Sequence, residues 1–276
     1  MDILYTCGMW GMVPGDHAGA FPRIKAAGYD CVSLRAPATL EAVAPIRDLA
    51  RSLGLRLVGQ FSTFGADPDA HIASFRDFLP RLKAFEPLMV NSQSGGDFFA
   101  HGDNVRIMAE MDRIARGEGV VLAHETHRGR GTFCIPATLR LLEALPDTRL
   151  TADFSHWCVV HESLLEDRRG LLDQIIPRVI NIHARVGHAE GPQVNHPAAP
   201  EWKPAVDAHL AWWDAIVVAN RAAGAARLLV HPEFGPPGYM QTLPFTDVPV
   251  SDLFAVNKHM KDLLKPRWAA ASSAAR

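Results

Sequence analysis

The sequence predicts a single (β/α)₈ barrel, an α/β fold with a long loop after its seventh strand. Three observations carry this expectation. Short β-rich runs alternate with longer helical patterns, eight of each. Dividing 276 residues by eight gives 34.5 per strand–helix unit, a comfortable share of a barrel that typically totals about 250 residues. A doubly wound open sheet would lead one to expect a glycine-rich phosphate turn after the first strand. Neither G-x-G-x-x-G nor G-x-x-x-x-G-K-[ST] occurs.

The elements follow in order. A strand at 3–6 leads to a helix near 18–27, ended by Gly28, and a strand at 31–34 follows. Thr39-Leu40-Glu41 opens a helix over 39–53, with Leu40, Val43 and Ala44 apolar and Gly54 as its stop. After a strand at 55–61, Pro68 suits a first helical turn, and Ile72, Phe75, Phe78, Leu79 and Leu82 keep helical spacing over 68–84. Strands at 88–91, 120–125, 149–154 and 179–184 alternate with helices near 104–116, 134–145 and 163–175. Gly119 precedes the fifth strand. A Pro- and Gly-rich stretch, 186–203, forms the long loop before a helix at 205–223 that Gly224 ends. A strand at 228–233 and a helix near 252–264 complete the barrel, assigned to 1–266, with 267–276 expected to be a disordered tail. Helices between successive strands imply parallel pairing.

Composition narrows the function. With 28 basic and 30 acidic residues the formal net charge is -2, which argues against a phosphate-backbone binder and hence a nucleic-acid partner. The N-terminus, MDILYTCGMW, has neither the basic nor the long apolar region of a secretory signal. The most apolar window, 210–230, is broken by Asp214, Asn220 and Arg221, so no membrane span is expected. Cys7, Cys31, Cys134 and Cys158 lie far apart and read as free thiols of a reducing compartment. The expected location is cytoplasmic.

The chemistry lies where the metal-type side chains fall. Glu125 ends Val-Val-Leu-Ala-His-Glu and Asp153 ends Arg-Leu-Thr-Ala-Asp. His183 ends Val-Ile-Asn-Ile-His and Glu233 ends Leu-Leu-Val-His-Pro-Glu. The separations are 28, 30 and 50 residues: one unit, one unit, and one unit plus the long loop. Four consecutive strands thus each present one candidate ligand at the C-terminal face, where barrels build their sites. Three carboxylates and one imidazole favour a single divalent cation, Mn²⁺ or Mg²⁺, with Co²⁺ and Zn²⁺ as alternatives. Period-two alternation places Ala123, Thr151, Asn181 and His231 one layer below. The three polar members are candidates for orienting the ligands.

Other groups gather on the same rim. His156, three residues beyond Asp153, Arg185, two beyond His183, and His127 are candidate substrate contacts. His-Glu-Thr-His is not H-E-x-x-H, which excludes a zincin helix. His188, Gln193 and His196 sit in the long loop as a candidate lid, and Trp10, Phe64, Trp157 and Tyr239 are candidate pocket walls.

The sequence resembles the xylose-isomerase-like TIM-barrel superfamily, the sugar phosphate isomerase/epimerase family. The similarity runs from Cys7 to about Leu264 and is strongest in Glu-Thr-His-Arg-Gly (125–129), Asp-Phe-Ser-His-Trp (153–157), Ile-His-Ala-Arg-Val-Gly (182–187) and Pro-Glu-Phe-Gly-Pro (232–236). The resemblance implies that Glu125, Asp153, His183 and Glu233 hold one metal, and that His156 and Arg185 contact the substrate. Where ketose epimerases of the family carry a further substrate-contacting Glu, this chain reads Arg-Gly-Arg-Gly, which speaks against a ketohexose. The family's nucleases need extra histidines on earlier strands, which end here in Gln60 and Asn91. The expected activity is isomerisation or epimerisation of a small sugar or sugar-derived carbonyl compound. It would run by α-proton transfer through a metal-bound enediolate, with Glu125 and Glu233 catalytic. A metal-dependent dehydratase shares the first step; an endonuclease and a non-catalytic sugar-binding barrel are the remaining alternatives. The apolar segment 235–249 suggests a pocket cover or a homodimer contact.

Overall fold

The structure, a computed structural model, describes residues 1–270. In chain order the elements are β1 (Asp2–Gly8), α1 (His17–Ala26), β2 (Cys31–Arg35), α2 (Val43–Ser52), β3 (Arg56–Ser62) and α3 (Pro68–Ala84). There follow β4 (Val90–Gln93), α4 (His101–Gly117), β5 (Leu122–Glu125), α5 (Ile135–Ala144), β6 (Leu150–Ala152) and α6 (Ser155–Val160). The last are α7 (Arg169–Ile175), β7 (Val179–His183), α8 (Lys203–Ala222), β8 (Arg227–His231) and α9 (Leu253–Ala270). Each strand pairs in parallel with the next, and β8 pairs with β1, which closes an eight-stranded barrel. Parallel neighbours need a crossover of a dozen residues or more, and the helices supply it.

Side chains alternate across each strand, and the inward rows change character along the barrel axis. Near the N-terminal ends Leu4, Cys31, Val58, Met89, Ala123 and Leu229 form an apolar plug. One and two steps further up the same rows stand polar groups: Ser33 and Arg35 on β2, Gln60 and Ser62 on β3, Asn91 and Gln93 on β4. The outer faces of the strands pack on the helices through residues such as Phe21, Ile24, Phe75 and Trp213, all fully buried. None of the four cysteines is bridged. Among the described residues no helix is long and apolar enough to cross a membrane.

Several boundaries differ from expectation, and four of them have a clear local setting. The second helix begins at Val43, not 39, and Leu40 is 51% exposed. Pro45 lacks an N–H, which a first helical turn tolerates but a helix begun at 39 would have needed. The sixth strand stops at Ala152 because the chain turns into α6, which the sequence pattern did not reveal. The following helix begins at Arg169, not 163, because Glu162 and Leu165 take left-handed backbone at φ 48° and 58°. The last helix continues through 267–270, part of the expected tail. There Trp268 is buried and its Nε1 donates to Asp214 Oδ1 at 2.8 Å. Residues 271–276 lie outside the described residues.

The long loop after β7 is tied down by His209 of α8. Its Nδ1–H donates to the Ala205 carbonyl (2.8 Å) and its Nε2 accepts from Gly187 N–H (3.2 Å). Both roles require a neutral ring. Burial, the main cause, depresses its pKa to about 4. The unfolded chain protonates this residue near its ordinary value of about 6.5, so stability is full above that pH and falls as pH drops towards 4. Between pH 7 and pH 5 this group accounts for a loss of about 2 kcal/mol. Urea unfolding of His209→Gln is expected to show a pH dependence smaller by that amount.

Candidate active site

Glu125 ends β5, Asp153 follows β6 directly, His183 ends β7 and Glu233 lies two residues past β8. The closed barrel brings all four to one point, with one potential ligand atom from each lying within 4.8 Å of the others. His183 stands at the centre. Its Nδ1 is 2.6 Å from Glu233 Oε2, 3.6 Å from Glu125 Oε1 and 4.0 Å from Asp153 Oδ2. The approach to Glu233 lacks the direction of a hydrogen bond, and both ring nitrogens are buried without a hydrogen-bond partner. A buried imidazole with unpartnered nitrogens facing three acids is a donor set that fits a divalent cation. Two other three-residue groups overlap it, Glu125–His127–His156 and His183–His231–Glu233.

The electrostatics follow from this crowding. Burial raises the Glu125 carboxyl, but the charge of the His183 imidazole beside it outweighs that and holds it well below the usual carboxylate range. Burial also dominates at Asp153, and there it wins over the nearby Arg185 charge, so the carboxyl is raised. For His183 burial works downward, yet Glu233 and Glu125 together raise the imidazole to about 10.

Several positioning groups lie on strands that the sequence analysis set aside. Asn91 Nδ2 donates to Glu125 Oε2 at 2.7 Å and to Gln60 Oε1 at 2.8 Å, and Gln93 Nε2 donates to Glu125 Oε2 at 3.3 Å. Alternation applied to the third and fourth strands would have pointed all three inward. Asp153 accepts from Ser155 and Arg185 side chains, while its backbone N–H donates to Thr126 Oγ1 at 2.8 Å. The expected supporting layer behaves differently. Asn181 Nδ2 donates to Thr151 Oγ1 at 3.2 Å, so these two satisfy each other beneath the acids. His231 lines the cavity with Nδ1 3.8 Å from Glu233 Oε1, beyond hydrogen-bond reach.

Above this set opens a cavity of about 680 Å³. Glu125, Glu233, His127 and Arg185 reach it, as do Gln60 and Gln93 on the opposite wall. Arg185 is 1% exposed, with Nε donating to Ser155 Oγ (3.1 Å), Nη2 to His156 Nε2 (2.7 Å), and its plane 4.7 Å from the Tyr239 ring centre. His156 is placed differently from expectation. It is fully buried, behind Arg185 and against the His127 ring at 3.9 Å, and does not line the cavity. The reason is α6, which turns the chain inward immediately after Asp153.

Trp10 and Tyr239 wall the cavity edge-to-face at 5.1 Å, whereas Phe64 is exposed and Trp157 is buried against Phe154. Of the candidate lid residues, Gln193 is buried and latches Gly235 through both amide groups. His188 and His196 are not in the lining. The apolar segment divides: Tyr239 and Met240 pack inward, while Leu243, Phe245 and Val248 are exposed.

No family model matches the sequence, and no curated protein sequence matches it. Solved structures do. A D-tagatose 3-epimerase-like protein superposes with TM-score 0.67 at 10% identity, over 99% of this chain and all (100%) of its own. A xylose isomerase-like TIM barrel protein from Mycobacterium smegmatis, in complex with magnesium, gives TM-score 0.65 at 11% identity over 94% of each chain. The fold is the eight-stranded TIM barrel of these structures. At these identities the likeness shows the fold alone. A probable 3-DHS dehydratase from Bacillus anthracis superposes with TM-score 0.60 at 14% identity over 96% of this chain and 99% of its own. An endonuclease IV from Thermus thermophilus does so with TM-score 0.58 at 16% identity over 86% of this chain and 94% of its own. Several chemistries therefore share this fold, and the site must discriminate among them.

Removing a group that orients a ligand typically costs 10- to 100-fold in metal affinity. Asn91→Ala, which frees Glu125, is expected to weaken Mn²⁺ binding by about that factor in isothermal titration, with the fold unchanged by circular dichroism.

Proposed function

We propose that the protein is a divalent-metal-dependent isomerase or epimerase of a small sugar or sugar-derived carbonyl compound. The observation that carries this reading is the pair of glutamates on the cavity floor. Glu125 and Glu233 both reach the cavity and flank His183, from β5 and from beyond β8. Glu125, Asp153, His183 and Glu233 are the residues that would hold the ion. When bound, such an ion polarises a substrate carbonyl and acidifies the neighbouring C–H.

The chain's own groups do the rest. Glu233, the less buried glutamate at 14% side-chain exposure against 1% for Glu125, takes the proton from carbon onto a carboxylate oxygen. Glu125, hydrogen-bonded by Asn91, takes up a proton from solvent in the cavity and delivers it to carbon from the other side, while Glu233 releases its own proton to solvent, so the pair returns to its starting state. A carbanion flanked by oxygen is stabilised by fixed donors aimed at the developing charge, and Arg185 lies on that wall. Gln60, Gln93 and Ser33 offer donors and acceptors to substrate hydroxyls, while Trp10 and Tyr239 exclude water from the mouth.

Two competing chemistries are less well supported. A dehydratase needs an acid for the departing hydroxyl, and His156, a candidate substrate contact that could serve as one, does not line the cavity. A multi-zinc nuclease needs ligands from the earlier strands, where Gln60 and Asn91 are instead bonded to each other, and Asn91 to Glu125.

The test is solvent exchange. Incubated with Mn²⁺ in D₂O and a panel of ketoses, inososes and keto acids, the protein is expected to introduce deuterium next to the carbonyl of at least one compound. Glu233→Gln should slow that exchange by about 10²- to 10⁴-fold while still binding metal. Full exchange in this variant would remove Glu233 from proton transfer. Metal analysis is expected to give one ion per chain; about three zinc ions with cleavage of abasic DNA would replace the isomerase reading by a nuclease.

A further inference from the structure

The wall facing the acids carries an arginine with no acidic partner among the described residues. Arg35 ends β2, is exposed to solvent and lines the cavity. Its Nη2 donates to Ser62 Oγ at 3.1 Å, Ser62 Oγ donates to Gln93 Oε1 at 3.0 Å, and the Gln93 amide donates to Glu125 Oε2 at 3.3 Å. A file of hydrogen bonds therefore runs across β2, β3, β4 and β5 from the guanidinium to the catalytic floor. Among the described residues no carboxylate pairs with Arg35. Arg185, the other arginine of the lining, is paired with Asp153.

A second cation backs the first. Arg130 Nη1 donates to the Thr63 carbonyl at 2.9 Å. Burial chiefly lowers its pKa; Glu125 and then Asp97 act to raise it, and the charge of Arg35 to lower it further. The stretch that carries Arg130 is Arg128–Gly131, which has no carboxylate to offset it. Once a divalent ion and Arg185 balance the three acids, the charge left in the cavity is that of Arg35.

We propose that the substrate carries a terminal oxyanion, a carboxylate or a phosphate, which Arg35 binds at the end of the cavity away from Asp153 and His183. The reaction is placed at the acid–imidazole set by the function proposed above, and the inference rests on that reading for the other end of the substrate. The planar guanidinium fork matches carboxylate and phosphate in two parallel hydrogen bonds. Ser62 occupies only one of its five N–H groups. Neutral hydroxyls do not require a cation here, because Ser33, Gln60, Ser62 and Gln93 already line the same wall.

The experiment is equilibrium binding by isothermal titration to the full chain in EDTA, with three six-carbon probes: D-fructose, D-fructose 6-phosphate and 2-keto-D-gluconate. At least one anion is expected to bind about tenfold or more tighter than D-fructose, as a charge-assisted hydrogen bond allows. Which anion is preferred distinguishes phosphate from carboxylate. Arg35→Gln should abolish the preference and Arg35→Lys should retain part of it. Equal affinity for all three probes, binding of none, or a preference that survives Arg35→Gln would overturn the proposal. The readout needs neither metal nor turnover. Anion preference without solvent exchange would remove the isomerase reading alone, and exchange on neutral ketoses without anion preference would remove this one alone.

Discussion

Three carboxylates share one buried imidazole, and much of the upper half of the barrel is arranged around that fact. Like charges within 4.8 Å of one another in a buried site repel strongly. Left without compensation, buried charges of this kind are strongly destabilising. The protein answers with the guanidinium of Arg185 against Asp153, side-chain amides from Asn91 and Gln93 against Glu125, and the His183 imidazole, which the acids push towards its charged form, between them. These compensating groups come from β4, β7 and the loop after β7. Such a set meets only when the sheet is closed.

Closure also divides the interior into parts with separate tasks. The apolar plug of Leu4, Cys31, Val58, Met89, Ala123 and Leu229 holds the strands in register from below. Above it, β5 to β8 carry the acids and the imidazole, while β2 to β4 carry hydroxyls, amides and one arginine. The two walls are coupled by hydrogen bonds that run from Arg35 to Glu125, so the guanidinium and the carboxylate belong to one network.

What was legible in the sequence had a short-range or periodic cause. The strands show because apolar runs alternate with helical patterns, and Gly28, Gly54, Gly119 and Gly224 take left-handed backbone where the helices end. Glu125, Asp153, His183 and Glu233 were legible because unit spacing puts them at the same height on consecutive strands. The misplacements share one origin, a local break in periodicity. Pro45 shortens α2, left-handed Leu165 delays α7, and α6 follows β6 so closely that Asp153 stands at a corner instead of within a strand. His156, assigned to the rim by counting from Asp153, is carried behind it by that corner.

The amino-acid sequence by itself determined the barrel, the face that carries the chemistry and the four residues that converge there, because each depends on repeat length and alternation. Only the tertiary structure decided which neighbours hold those residues in place. Asn91 and Gln93 serve Glu125, Arg185 serves Asp153, and Thr151 and Asn181 serve each other. The same holds for Arg35, a strand-end arginine in the sequence and, in the fold, a cavity-lining cation with no carboxylate partner among the described residues. Periodicity fixes the direction in which a side chain leaves its own strand. Its partner depends on the register and curvature of strands dozens of residues away, which no local pattern encodes.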